Sequence, residues 1–310
     1  MKVITCASYY GSGSSAITDF LSEFSNVSSV GDYEFRFIQD PDGVRDLEYN
    51  LVENFNRHNS GHALKKYKRL VKFLSGNVLN RKYEKFFKGN FKKISYEYID
   101  RLTDYKFKGY WHEDLRDKGM FVYTYKRFIS KLFNIFICKP FRLKERNYNE
   151  LPREITLGSK PTEEKFVEET KRYTNRLFRC LNKENSEYIV IDQLFPPTNL
   201  KKYLRYVDDC YVIIVDRDPR DMYLSERIFY HGTIVPLKIE DFCKWFRFTR
   251  ESREEELKNE KVLFVKFEDL IYHYDTERLR ICSFLGLSEK NQVKMFKSFD
   301  PRVSIKNTKL

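Results

Sequence analysis

Short apolar, β-branched runs stand near both ends of the chain and are nearly absent from its middle. Val3–Ala7, Tyr188–Ile191, Tyr211–Val215 and Val262–Val265 have strand length, and helical patterns lie between them. Strands separated by helices predict a parallel sheet covered on both faces. The expected fold class is therefore α/β, with residues 1–60 and 186–310 forming one core. Residues 61–185 read as basic, Phe/Tyr-rich helices, a helical insertion within a single domain spanning 1–310. A further strand is expected over Asn26–Val30, leading into Gly31-Asp32-Tyr33-Glu34-Phe35-Arg36-Phe37.

Charge is concentrated in the insertion. Residues 61–150 hold 23 Lys/Arg against 9 Asp/Glu, or +14, whereas the whole chain carries +12. Such a block implies a polyanionic or anionic-surface partner, or else a solvated helical face. No apolar stretch is long enough to span a membrane, and the N-terminus lacks the apolar core of a secretory signal. Phe128–Cys138 is apolar enough for a membrane-surface helix, but a core helix of the insertion is the expectation. The six cysteines form no CxxC pair and read as reduced thiols of a cytosolic protein. His58 and His62 stand one helical turn apart with no third ligand nearby, so no metal is expected.

Two motifs carry chemistry. After the first strand comes Gly11-Ser12-Gly13-Ser14-Ser15, followed by Ala16, Ile17, Phe20, Leu21 and Phe24 on one helical face. A strand, a Gly/Ser loop and a helix start gather backbone N–H groups and hydroxyls around one point, which suits an anion. The loop is not a Walker A sequence, because no Lys follows Gly13. The second motif is Arg217-Asp218-Pro219-Arg220-Asp221 with Ser225, at the end of the strand Tyr211–Val215. Asp218 and Pro219 are placed as N-cap and first helical residue. Arg217 and Ser225 then converge at the carboxyl edge of the sheet, where open α/β sheets bind ligands.

In this order the motifs resemble those of sulfotransferases that use 3′-phosphoadenosine 5′-phosphosulfate (PAPS), closest in style to bacterial and carbohydrate sulfotransferases. In that family the loop holds the 5′-phosphosulfate, and the Arg and a Ser eight residues later hold the 3′-phosphate. Val262–Leu287 is similar to the family's strand, Glu-Asp-Leu turn and helix ending in Phe-Leu-Gly-Leu. Phe299–Leu310 is similar to a C-terminal loop that covers the nucleotide. The resemblance covers roughly residues 1–40 and 186–310. It implies a P-loop-like sulfotransferase fold with PAPS as co-substrate. The implied nucleotide ligands are Gly11, Ser12, Gly13, Ser14, Ser15, Arg217, Ser225 and Lys306. Gly11 stands where many cytosolic members carry a Lys, so either another cation, Arg36 or Lys306, does that work or backbone donors suffice. A Glu followed by aromatics about twenty residues after the loop is the general base in carbohydrate-modifying members, and Glu34 matches it.

From the residues alone, a carboxylate between aromatic neighbours is partly desolvated and suited to taking a proton. Arg36 is expected to point away from Glu34 and so not to neutralise it. His231 and Asp192 are the alternative bases. The expected activity is sulfuryl transfer from PAPS to a hydroxyl-bearing acceptor, a glycan of neutral or acidic character. The rivals are an atypical nucleotide kinase and a basic glycan- or nucleic-acid-binding protein with a non-catalytic nucleotide pocket. Nucleic acid is the less expected partner. The expected location is cytoplasmic, with peripheral contact at the inner membrane face left open.

Overall fold

The computed structural model describes residues 1–31, 33–77, 79–111, 113–145, 153–182 and 185–308. In chain order the main elements are β1 (Lys2–Ser8), α1 (Ser14–Leu21), β2 (Val27–Ser29), α2 (Arg57–Ser75), α3 (Phe91–Leu102) and β3 (Tyr105–Gly109). They continue with α4 (Glu113–Phe133), β4 (Arg153–Leu157), α5 (Glu163–Leu181), β5 (Tyr188–Asp192) and β6 (Cys210–Asp216). The last are α6 (Pro219–Ser225), α7 (Ile239–Thr249), β7 (Val262–Lys266) and α8 (Tyr274–Leu285).

The fold is α/β: a five-stranded parallel sheet in the order β2-β5-β1-β6-β7, flanked by helices. β1 is hydrogen-bonded on both sides, Ile4 pairing with Val190 of β5 and with Tyr211 of β6. Its residues Val3 to Ser8 are all buried, as a central strand with two covered faces requires. One face packs Ile4, Cys6, Val190, Ile213 and Val265 against Ile17 and Phe20 of α1 and Ile281 of α8. The other packs Val3, Ala7, Ile189, Val212 and Ile214 against Leu64 and Tyr67 of α2, Tyr98 of α3, and Phe166 and Tyr173 of α5.

Within 61–185, α2, α3 and α5 are thus part of the fold's own layer and cover one face of the sheet. Two expectations are corrected here. The central region contains strands, since β3 pairs with β4 in an antiparallel ribbon, Phe107 opposite Ile155. Tyr33–Arg36 is irregular chain rather than strand. Local signals are realised elsewhere. Asp218 caps α6 by accepting from the Arg220 N–H, with Pro219 in the first turn. α8 stops at Gly286, whose φ of 72° is one that glycine adopts without strain.

The face under the central helices is rich in buried phenols. Tyr67 donates to the Tyr173 hydroxyl at 2.9 Å, Tyr173 meets Ser95 Oγ at 2.8 Å and Tyr98 meets Thr170 Oγ1 at 2.7 Å. The Tyr98 and Tyr173 rings stack at 4.5 Å. Burial pushes Tyr67, Tyr83, Tyr98, Tyr173 and Tyr206 above the ordinary phenol range. Below about pH 10 these groups are neutral in both states; above it the unfolded chain ionises them while the fold holds them neutral. Stability should therefore be lost as pH rises past about 10, by about 1.4 kcal/mol per unit for each such phenol. Urea midpoints at successive alkaline pH values check this. A midpoint that stays flat to pH ~11 would contradict the buried phenol cluster.

Candidate active site

β1 ends at Ser8, and the chain turns through Tyr9–Gly13 before α1 begins. Tyr10, Gly11 and Gly13 all have positive φ, at 61°, 69° and 94°. A Cβ on Gly13 would lie 2.7 Å from the Phe267 ring, so the loop is pressed against the turn after β7; one on Gly11 would meet nothing within 4 Å. No side chain caps α1. Its first-turn donors and positive dipole end therefore face the cleft above the sheet.

Ser12 is fully buried. Its hydroxyl donates to the Val215 carbonyl at 2.6 Å and accepts from the Tyr9 N–H at 3.2 Å, pinning the loop to the end of β6. That hydroxyl is engaged within the fold, and Ser12 is not among the residues lining the cleft described next. Ser14 donates to Asp192 Oδ2 at 3.3 Å, and Gln193 Nε2 donates to both Ser14 and Ser8. Ser15 is exposed to the cleft.

Arg217 follows β6 directly. Its guanidinium lies over the Phe267 ring at 5.0 Å and 3.9 Å from the buried Asp221 carboxylate. Glu268, in the turn after β7, accepts the Asp218 N–H at 2.9 Å and so locks two sheet-edge turns together. Asp216 is buried and held by Arg250 at 2.6 Å and Arg253 at 3.4 Å, while accepting the Arg217 N–H at 2.8 Å. The Arg250 guanidinium in turn stacks on the Tyr9 ring at 4.3 Å. Burial and the neighbouring Asp216 push the Tyr9 phenol up to about 12.

These elements enclose a cleft of about 440 Å³ at the carboxyl ends of the strands. Gly11, Gly13, Ser14, Ser15, Glu34, Asp192, Arg217 and Ser225 line it together. Lys306 lies on the terminal turn Ile305–Asn307 and is not among the lining residues. His231 is likewise outside the lining, although Phe229 and Tyr230 before it contribute.

Glu34 departs from the sequence reading in one respect. Arg36 does not point away: even strand alternation sets residues two apart on one face, and its Nη1 lies 3.6 Å from Glu34 Oε2. Arg36 has closer partners in Asp40 at 2.8 Å and the Tyr10 hydroxyl at 3.2 Å. Burial works against the guanidinium's charge, but Asp40 and Tyr10 outweigh it and hold its pKa above the usual value. Glu34 itself is 48% exposed.

Glu226 escaped sequence reasoning. It is buried, lines the cleft and accepts the Ile234 N–H at 3.2 Å. Its adjacency to Ser225 was the available signal. A second cavity of about 520 Å³ adjoins the first and shares Ser8, Tyr10 and Gln193 with it. Tyr9, Pro196, Pro197 and Phe248 supply its apolar walls, and Gln39, Asn199 and Glu251 its polar edges. Its lining contains no Lys or Arg. Nothing in the local sequence marks it, because its walls come from four separate segments.

No protein-family model matches the chain, and no curated protein sequence matches it. Solved structures do. Structurally, the chain is similar to sulfotransferase domains. The sulfotransferase domain from the Synechococcus PCC 7002 olefin synthase matches with a TM-score of 0.40 at 11% identity, over 100% of this chain and 87% of that one. The sulfotransferase domain from the curacin biosynthetic pathway matches with a TM-score of 0.42 at 11% identity, over 97% and 78%. Sulfotransferase STF1 from Mycobacterium tuberculosis H37Rv matches with a TM-score of 0.39 at 11% identity, over 99% and 76%.

The loop geometry gives a direct test. Gly13→Ala combines a strained φ with a clash against Phe267 and should cost about 2–4 kcal/mol of stability. Gly11→Ala carries only the backbone strain and should cost about 1–2 kcal/mol. Urea unfolding of the two variants separates them. Equal losses would show that the loop is not closed against Phe267.

Proposed function

We propose that the protein transfers a sulfuryl group from PAPS to a hydroxyl of a carbohydrate acceptor. The observation that carries this reading is the single cleft lined by both the Gly11–Ser15 loop and the Arg217/Ser225 pair, about two hundred residues apart in the chain. Two anion-binding features lining one cleft suit a nucleotide with phosphate groups at both ends of its ribose. In this reading the α1 N-terminus, Ser14 and Ser15 hold the 5′-phosphosulfate, and Arg217 with Ser225 holds the 3′-phosphate. Ser12 contributes by shaping the loop. Arg36, which donates to the Tyr10 hydroxyl and lies 3.6 Å from Glu34, both residues of the cleft lining, supplies the positive charge that a loop Lys would otherwise provide; Lys306, the other candidate cation, is like Arg36 outside the lining itself.

The second cavity is the proposed acceptor site. Apolar ring faces with amide and hydroxyl edges suit a sugar, which stacks its C–H face and hydrogen-bonds its hydroxyls. With Glu251 present and no cation in its lining, the cavity favours a neutral acceptor over an acidic one. The acceptor oxygen attacks sulfur, the bond from sulfur to the 5′-phosphate oxygen breaks, and adenosine 3′,5′-bisphosphate leaves. Glu34 takes the hydroxyl proton as its longer contact with Arg36 gives way, Arg36 staying with Asp40 and Tyr10. Catalysis is then mostly positioning and charge stabilisation.

Two substitutions test the reading. Arg217→Ala should weaken adenosine 3′,5′-bisphosphate binding roughly 10- to 150-fold by calorimetry, with Arg217→Lys in between. Glu34→Gln should lower kcat for sulfate transfer to a neutral glycan about 10²–10⁴-fold while leaving bisphosphate affinity unchanged. Parent-like affinity in Arg217→Ala would remove Arg217 from the site, and parent-like turnover in Glu34→Gln would remove Glu34 as the base.

A further inference from the structure

The segment expected as a core helix of the insertion is instead exposed. From Asp117 to Glu145 only Ser130 and Cys138 are buried. Met120, Phe121, Tyr125, Phe128, Phe136 and Phe141 are 58–86% exposed. Gly119, with φ 78° and ψ 162°, breaks α4, so the helix from Met120 onward sets its own direction. Along it, Phe121, Tyr125, Phe128 and Leu132 recur at four-, three- and four-residue steps and share one stripe. Lys126 falls on one flank of that stripe, Arg127 and Lys131 on the other. From Lys118 to Lys144 the chain carries seven cations and no carboxylate.

A contiguous exposed apolar surface of this kind marks an interaction site. We propose that residues 118–144 bind the surface of an anionic lipid bilayer, the apolar stripe entering the headgroup–acyl boundary and the flanking Lys and Arg meeting lipid phosphates. Both halves of the pattern select this partner. A soluble polyanion would satisfy the cations but leave the aromatic stripe in water. A second copy docked across a two-fold axis would cover the stripe but set seven cations against seven, with no carboxylate in the segment to offset them. A bilayer bearing acidic headgroups satisfies both. Among the described residues no helix is long and apolar enough to cross a membrane, so the segment lies on the surface. The proposal stands independently of the reaction assigned to the cleft.

The test is co-sedimentation of the full chain with vesicles of phosphatidylcholine alone and of phosphatidylcholine with phosphatidylserine. Binding to the anionic vesicles, weakened by salt and weak or absent with neutral ones, is expected. Lys126→Glu/Arg127→Glu/Lys131→Glu should reduce anionic-vesicle affinity by roughly 100-fold or more, taking about five-fold per surface cation lost. Phe121→Ser/Phe128→Ser should reduce it even at low salt, and both variants should keep the parent's melting temperature because the replaced side chains lie at the surface. The proposal is overturned by equal binding to neutral and anionic vesicles, or by binding to neither. It is equally overturned if the chain captures heparin but no vesicle, or if it self-associates through an interface that Phe121→Ser/Phe128→Ser abolishes.

Discussion

The position of β1 sets everything that follows. An N-terminal strand hydrogen-bonded on one side to β5 and on the other to β6 brings residue 4 beside residues 190 and 211. The loop leaving β1 must therefore emerge between the chain leaving β5 and the chain leaving β6. Ser14, Asp192 and Arg217 become neighbours of one cleft because the sheet order gives their strands adjacent carboxyl ends. Closing so long a loop costs entropy, offset by strands whose side chains are apolar and buried on both faces.

A set of polar locks then holds the strand ends in register. Ser12 ties the first loop to Val215, Gln193 bridges Ser8 and Ser14, and Glu268 holds the Asp218 N–H. Asp216 is central among them, since one buried carboxylate takes Arg250, Arg253 and the Arg217 N–H. Buried groups satisfied in this way are costly to disturb, because removing one partner leaves the others desolvated and unpaired. The cleft is pre-shaped by these contacts, which is what catalysis by positioning requires.

Features set by neighbouring residues were legible in the sequence. The α1 apolar face, the Asp218-Pro219 helix start and the Gly286 stop all follow from local spacing or backbone preference. Those set by distant chain were not. β3 and β4 lie more than forty residues apart and are short, and an exposed strand such as Tyr105–Gly109 lacks an apolar run to announce it. The Glu34–Arg36 contact, by contrast, was legible, since strand alternation sets residues two apart on the same face and not on opposite ones. The second cavity draws its walls from segments around residues 9, 39, 196 and 248, so no single stretch reveals it. In α4 the apolar spacing was visible, but spacing alone does not say whether a stripe faces a core or the outside.

The central claim is that the cleft holds a nucleotide with phosphates on both sides of its ribose and needs no metal to do so. The most direct measurement is thermal unfolding of the parent protein with adenosine 3′,5′-bisphosphate in the presence of a chelator, set beside ATP with Mg²⁺. The account predicts stabilisation by the bisphosphate, about 2.7 kcal/mol at a hundred times its dissociation constant. No response to the bisphosphate, or a response to ATP with Mg²⁺ alone, would contradict it.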